Sequence, residues 1–275
     1  MHHPTIPSGL LKRYLNLLGI PRRKPGTEAL YELVQAHLVK VPFENISKLF
    51  YKKHHLLHGL PSLEFFLDGI ERFHFGGTCY PNNYYFYLLL ANLGYQIKLC
   101  GADMSNPNVH LVSVVMVAQR EYLIDVGYGA PFLSPIPRDL TTDYTIVLGR
   151  DQYVLKPQDA RGSSLMELFR DGSLAHSYSV NPMARKIQEF HQIIADSFRE
   201  DSTFMKAILL ARFFPNRSIV LHNLTLIESE GTVSNSQSLN SRDQMIEAAH
   251  EYFGIPKQFT LDVVMEIGQF GEAWN

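Results

Sequence analysis

Cysteine is scarce. The 275 residues hold two, Cys79 and Cys100. Two thiols make no disulfide framework, and a chain of this size built for an oxidising compartment often carries more. The expectation is a cytoplasmic protein with reduced thiols. A charge excess of one sign is missing too: the formal net charge is −2 and the pI is near 6.6. Nucleic-acid binders and membrane-surface proteins usually show a basic excess, so neither kind of partner is expected. No apolar run reaches the length of a membrane span. Met1–Leu10 contains His2, His3, Pro4 and Pro7 and lacks the basic-then-apolar pattern of a signal peptide. No Gly-Lys-Ser/Thr follows Gly76-Gly77, and neither GxGxxG nor GxSxG occurs. A Walker loop, a dinucleotide fingerprint and a nucleophile elbow are thereby excluded. His54, His55 and His58 have no acidic or cysteine partner nearby in sequence. They read as a solvated loop rather than a metal site, and no metal is expected. Internal repeats, heptads and low-complexity tracts are absent.

What is present is ordinary globular material, 45% hydrophobic and 19% charged, enough for one large domain or two to three small ones packed together. The first third reads as helical. Gly9–Leu18 carries an apolar face and stops at Gly19 and Pro21. Glu28–Lys40 is capped by Thr27. Ser62 caps a helix to Phe73, and Pro81–Leu93 is the fourth. Val41–Ser47, between the second and third, reads as a loop. From Gly94 the pattern turns to strands: Tyr95–Met104, Leu111–Ala118 and Glu121–Val126, then apparent hairpins at 144–157 and 164–180. Pro182–Phe198 reads as a helix, Phe204–Phe214 as helix or strand, and Arg217–Glu228 as a strand bent at His222-Asn223. Gly231–Ser241 reads as a polar loop, Ser241–Phe253 as a helix, and Phe259–Val264 as a last strand.

The chemistry gathers around Phe73–Leu93. Two adjacent glycines run into Cys79, and Pro81 falls in the first helical turn, where proline costs no hydrogen bond. Cys79 therefore sits at a helix N-terminus, whose unpaired N–H groups and dipole favour a thiolate. His110 begins a strand. Asp125 ends another, ahead of Gly127 and Gly129, in a position that packing alone explains poorly. Antiparallel pairing would bring His110 and Asp125 side by side. His110 would then take the thiol proton, Asp125 would orient the imidazole, and the Cys79 N–H would face a developing oxyanion. Taken singly, each residue has an ordinary structural role. Cys100, at the end of an apolar strand, reads as buried and inert.

Four stretches, VPFENIS (41–47), GGTCYPNN (76–83), NVHLVSVV (108–115) and YLIDVGYG (122–129), resemble the arylamine N-acetyltransferases in content and order. The resemblance is strong over the first half of the chain and rests only on length and apolar pattern after it. It implies an α+β fold with an N-terminal helical bundle, a central antiparallel β-barrel and a C-terminal α/β lid, around a cysteine-protease-like core. The expected divisions are 1–94, 95–198 and 199–275. It also implies ping-pong transfer of acetyl from acetyl-CoA to an aromatic amine or hydrazine through a thioester. Cys79, His110 and Asp125 match the family's catalytic positions. Phe43 and Tyr128 match positions flanking the acceptor ring, and Asn106, Pro107 and Ser202 loosely match regions touching coenzyme A. Two positions depart from the family pattern. Phe75 stands where the family usually has Arg, and Pro81 where it has Glu or Gln. These departures keep open a non-catalytic homologue, and the same triad on another acyl group would make a related amide synthase or acyl hydrolase. Without that arginine, Glu44 is expected to recruit Arg72 or His74.

Overall fold

A computed structural model describes residues 3–271. Five helices open the chain: α1 (Ser8–Leu18), α2 (Thr27–Lys40), α3 (Ile46–His55), α4 (Leu63–Phe73) and α5 (Cys79–Leu93). Strand β1 (Phe43–Glu44) lies between α2 and α3. Leu11, Tyr14, Leu30, Leu33, Phe66 and Leu67 form the apolar faces the periodicity predicts, and they pack around α5. Ser62 caps α4 by accepting from Phe65 N, as expected, whereas α2 begins at Thr27 itself with Gly26 in the cap position.

The strands β2 (Gln96–Asp103), β3 (His110–Val117), β4 (Arg120–Ile124), β5 (Ile136–Pro137), β6 (Tyr144–Leu148), β7 (Asp151–Leu155), β8 (Ser164–Arg170) and β9 (Ser173–Ala184) form one antiparallel sheet. Its order is β5-β4-β3-β2-β9-β8-β7-β6, curled into a nearly closed barrel. After α6 (His191–Asp196) and α7 (Thr203–Lys206) come β10 (Leu209–Phe214), β11 (Arg217–His222), β12 (Thr225–Glu230) and β13 (Val233–Ser238). These run β1-β10-β11-β12-β13, so the second sheet takes its edge strand from the N-terminal third. Helices α8 (Arg242–Phe253) and α9 (Lys257–Val264) close the chain, and among the described residues no helix is long and apolar enough to cross a membrane. This is the α+β class expected.

Five further local readings are corrected. The single bent strand expected over Arg217–Glu228 is a hairpin, with β11 and β12 paired antiparallel and the chain reversing at Asn223, where the bend was expected. The loop expected after Val41 contains β1 and leads into α3, with His54 and His55 on its last turn. Lysines and histidines dilute the apolar period there, and the helix start is supported by the Glu44 carboxylate, which accepts from Ser47 N at 2.8 Å. His54 pairs with Asp262 of α9. The helix expected over Pro182–Phe198 starts only at Ile187, with a 3₁₀ turn before α6. Pro182 belongs instead to β9, between Val180 and Ala184, where the pairing with β2 is bulged and a missing N–H is tolerated. Gly231–Ser241 is no loop: β13 is a polar edge strand, whose pattern lacks the apolar alternation of a half-buried one. Phe259–Val264 is helical, with Thr260, Val263 and Val264 buried at i, i+3, i+4 spacing.

Candidate active site

The site lies where α5, the barrel and the second sheet meet. Thr78 precedes α5 in extended conformation, and Cys79 is its first residue, half-buried and free. Pro81 sits in the first turn with its ring against Gly77, where an added Cβ would lie 2.5 Å from Pro81 Cγ. Strands β3 and β4 pair with Ser113 opposite Ile124, which carries Asp125 back beside His110. The Tyr80 hydroxyl donates to Val109 O at 2.8 Å, fixing the start of β3 against α5. Gly127 lets the chain after Asp125 approach the nucleophile: a Cβ there would lie 2.8 Å from both Cys79 Cα and Cys79 O. Gly129 adopts φ +77°, a left-handed turn that suits glycine, with the Phe43 ring alongside.

His110 and Asp125 are 1% and 2% exposed, with Nε2 and Oδ2 2.8 Å apart. That leaves Nδ1 of His110 for Cys79, whose sulfur helps to raise the ring. Asp125 accepts further from Asn83 Nδ2 at 2.8 Å, Gly127 N at 3.1 Å and the Tyr178 hydroxyl at 2.9 Å. Burial by itself lowers His110 and raises Asp125. The attraction between them, with the bonds from Asn83 and Tyr178 and the sulfur of Cys79, outweighs it. His110 is pushed up to about 10, and Asp125 is held below its ordinary value. An imidazole that stays protonated beside a buried carboxylate and faces a thiol is suited to moving a proton on and off sulfur.

Sequence reasoning did not single out Asn83 or Tyr178. Asn83 lies one turn beyond Cys79 on α5, and its Oδ1 also accepts from Val126 N at 2.8 Å. The i, i+4 spacing from Cys79 was a usable signal. Tyr178 comes from β9 and had none.

A cavity of about 540 Å³ opens beside Cys79. Phe43, Tyr128, Asn106, Pro107 and Ser202 line it along with His110, so the residues named from sequence converge there, with Asp125 immediately behind His110. The Tyr128 hydroxyl lies 2.7 Å from His176 Nδ1, and His176 lines the same cavity. Cys100 is buried, and burial pushes its thiol up to about 11, as an inert core cysteine requires.

The expected cation for Glu44 does not arrive. Arg72 lies over the Phe73 ring, 5.3 Å from its centroid, and His74 takes the left-handed position after α4. Phe75 fills an aromatic cluster with Phe50, Phe73 and Phe259. Glu44 is fully buried and held by backbone donors instead: Gly76 N to Oε1 at 3.0 Å and Ser47 N to Oε2 at 2.8 Å. Burial raises its carboxyl, and the bonds from Ser47, Gly76 and Ile46 pull it back. The link between the PFEN stretch and the nucleophile loop therefore exists, but it runs through the Gly76 N–H. In Glu44→Gln one amide nitrogen must face an N–H donor. Leaving that buried donor unpaired should cost about 1–3 kcal/mol, read as a lower denaturation midpoint with Cys79 still alkylatable. An unchanged midpoint would show that these bonds contribute nothing.

The model of the N-acetyltransferase family matches residues 27–261. An arylamine N-acetyltransferase of the pineal gland of Gallus gallus is 31% identical over 141 residues, covering 47% of this chain and 43% of its own. The Rattus norvegicus arylamine N-acetyltransferase 2 is 25% identical over 199 residues, covering 62% and 66%. The match thus spans 43% of the length of the first of these relatives and 66% of the second. In structure it is similar to the Mycobacterium marinum arylamine N-acetyltransferase solved with CoA: TM-score 0.78, 19% identity, 94% of this chain and 99% of that one. The Nocardia farcinica enzyme gives a TM-score of 0.76 at 24% identity, with 92% of each chain covered. With the family's pattern matched from residue 27 to residue 261 and the fold shared along nearly the whole length, the chain belongs to the arylamine N-acetyltransferase family.

Proposed function

We propose that this protein transfers an acetyl group from acetyl-CoA to an arylamine or hydrazine by a ping-pong mechanism through Cys79. The observation that carries the reading is the half-buried Cys79 at the start of α5, facing the buried His110–Asp125 pair across the floor of a 540 Å³ cavity. In the first half-reaction the sulfur attacks the acetyl carbonyl carbon and His110 holds the thiol proton. The bond from carbon to the CoA sulfur breaks, and His110 gives its proton to the departing CoA. In the second, the amine nitrogen attacks the Cys79 thioester. The new C–N bond replaces the C–S bond, and the amine proton returns through His110 to the Cys79 sulfur. The first N–H groups of α5 lack partners within the helix and lie where the carbonyl oxygen gains charge. Asp125 keeps the Nε2 proton of His110 in place throughout, so that Nδ1 does the exchange.

Phe43 and Tyr128 supply apolar faces for the acceptor ring. The stretch Asn106–Pro107 and Ser202, at the cavity mouth, serve the coenzyme. A cytoplasmic, reducing setting suits the reading, since Cys79 must remain a thiol to be acylated. Incubation with acetyl-CoA alone should add one acetyl group, located at Cys79 by intact mass and peptide mapping. Added arylamine should remove it. Absence of any adduct with every acyl-CoA tried would defeat the reading.

A further inference from the structure

Of the charged side chains on α3, Lys48 alone is buried, at 7% exposure. It lines the same cavity as Cys79. Its Nζ donates to Ser197 O at 2.6 Å and to Ser197 Oγ at 2.8 Å, and stands 4.4 Å from the centroid of the Phe198 ring. An ammonium has three donors, and two are used here. Among the described residues no carboxylate pairs with it. Asp196, which also lines the cavity, accepts from Gln192 Nε2 instead. A buried cation without a countercharge is costly. Burial accordingly pulls Lys48 down to about 7, with the negative charge of the Cys79 sulfur pushing back and Lys52 adding to the fall.

Tethering the end of α6 does not account for this charge. A neutral donor would serve Ser197 equally well, and Lys52 already binds the next carbonyl, Phe198 O, at 2.8 Å. Acylation of Cys79 takes away the sulfur's contribution in favour of the ammonium. At the stage when the acceptor enters, the carboxylate left in the lining is Asp196, which is held by Gln192 and does not pair with Lys48. We propose that Lys48 is a specificity-determining residue that makes the cavity prefer a substrate with a carboxylate close to the reacting carbonyl, carried on the transferred acyl group or on the acceptor ring. The proposal rests on the acyl-transfer reading above. Phe43, Tyr128 and Tyr80 supply apolar walls, and Lys48 is a positive group in the lining without a carboxylate partner, whereas His110 is already paired with Asp125.

The test separates the two readings. Benzoate and benzamide are compared as protectants of Cys79 against iodoacetamide, which needs no turnover. In the wild type benzoate should protect at about tenfold lower concentration, the order expected for a charge-assisted bond at a partly dry site. In Lys48→Gln, which retains a donor for Ser197, the two should protect alike. Succinyl-CoA against acetyl-CoA in thioester formation, and 4-aminobenzoate against aniline as acceptor, then tell which partner carries the carboxylate. The arm showing a preference that Lys48→Gln abolishes assigns it. Equal protection by benzoate and benzamide in the wild type overturns the proposal, as does a preference that survives Lys48→Gln undiminished. Lys48→Met replaces the glutamine variant if that one does not fold, and if neither folds the wild-type ratio decides. No thioester with any acyl-CoA would instead overturn the acyl-transfer reading, and the protection ratio would still report on Lys48.

Discussion

Asp125→Asn should reduce acetyl transfer by roughly 10³–10⁴-fold, the scale of loss when a catalytic histidine is held in the wrong tautomer. Oδ1 of Asp125 accepts from two donors, Asn83 Nδ2 and Gly127 N, so the asparagine oxygen must occupy that place. Its NH₂ then points at His110 Nε2, which can pair with it only by accepting. The ring proton moves to Nδ1, the nitrogen that faces Cys79, and His110 can no longer take the thiol proton. The change adds and removes almost no volume, so the fold should persist. The readouts are the rate of thioester formation by intact mass and the rate of alkylation of Cys79 by iodoacetamide. A variant that forms the thioester within tenfold of the wild-type rate would show that Asp125 does not orient His110.

The same substitution should change how stability depends on pH. His110 binds its proton more tightly in the fold than in the unfolded chain, about 10 against 6.5. That contribution is fully present below pH 6.5 and is lost as pH rises through about 10. Asp125 is held below 3.8, so its contribution is present above pH 3.8 and is lost as pH falls through its lower folded value. The pair therefore supports the fold most between pH 3.8 and 6.5. Melting temperature should decline from pH 6.5 toward 10 in the wild type. In Asp125→Asn this slope should flatten, because the chief group raising His110 is gone. Equal slopes in the two proteins would contradict the assignment.

Gly76→Ala should be the most damaging small substitution in the chain outside the triad. A Cβ at Gly76 would lie 1.9 Å from Pro42 O and 2.9 Å from Pro42 C, backbone atoms with no rotamer to escape into. Relief requires the loop before Cys79 to move away from the PFEN stretch. That movement breaks the bond from Gly76 N to Glu44, the bond from Glu44 N to Gly77 O at 3.1 Å, and the bridge between Phe43 and Gly77. It leaves the Glu44 carboxylate buried with fewer donors. Overpacking and lost buried bonds together should cost about 3 kcal/mol or more. The denaturation midpoint should drop accordingly, and any folded protein should form the thioester slowly, since Cys79 is displaced with the loop. A midpoint within the error of wild type would show that the two loops are not coupled through this contact.

How far the chain could be read in advance follows from the range of each interaction. Local signals were sufficient where a cap or a break coincided with a clean apolar period: Ser62 for α4, Gly94 after α5, Ser241 and Gly254 around α8. They failed where the determining partner was remote in sequence. The N-terminus of α3 is satisfied by Glu44 from the preceding strand, and Asn45, which resembles a cap, spends its side chain on Phe204 O, Ala207 O and Leu209 N. Strand β13 exists because β12 offers a ladder, not because its six residues favour a strand.

The site divides in the same way. Cys79, His110 and Asp125 were legible together because each stands at the end of an element, Cys79 after two glycines and Asp125 before two, and because antiparallel strands could bring His110 beside Asp125. Their order and flanking motifs pointed to the family. Which groups support them was settled by tertiary structure alone, because a hydrogen bond between Tyr178 and Asp125 spans 53 residues and leaves no local trace. The same holds for Glu44: the family resemblance suggested a cation, and the folded chain supplied two backbone N–H groups. In sequence nothing marks Lys48 out: no helix is expected there, and in the structure it is one of five basic residues on α3. Only the packing of α3 against Ser197 and Phe198 turns it inward, because burial is a property of what surrounds a side chain and not of the side chain itself.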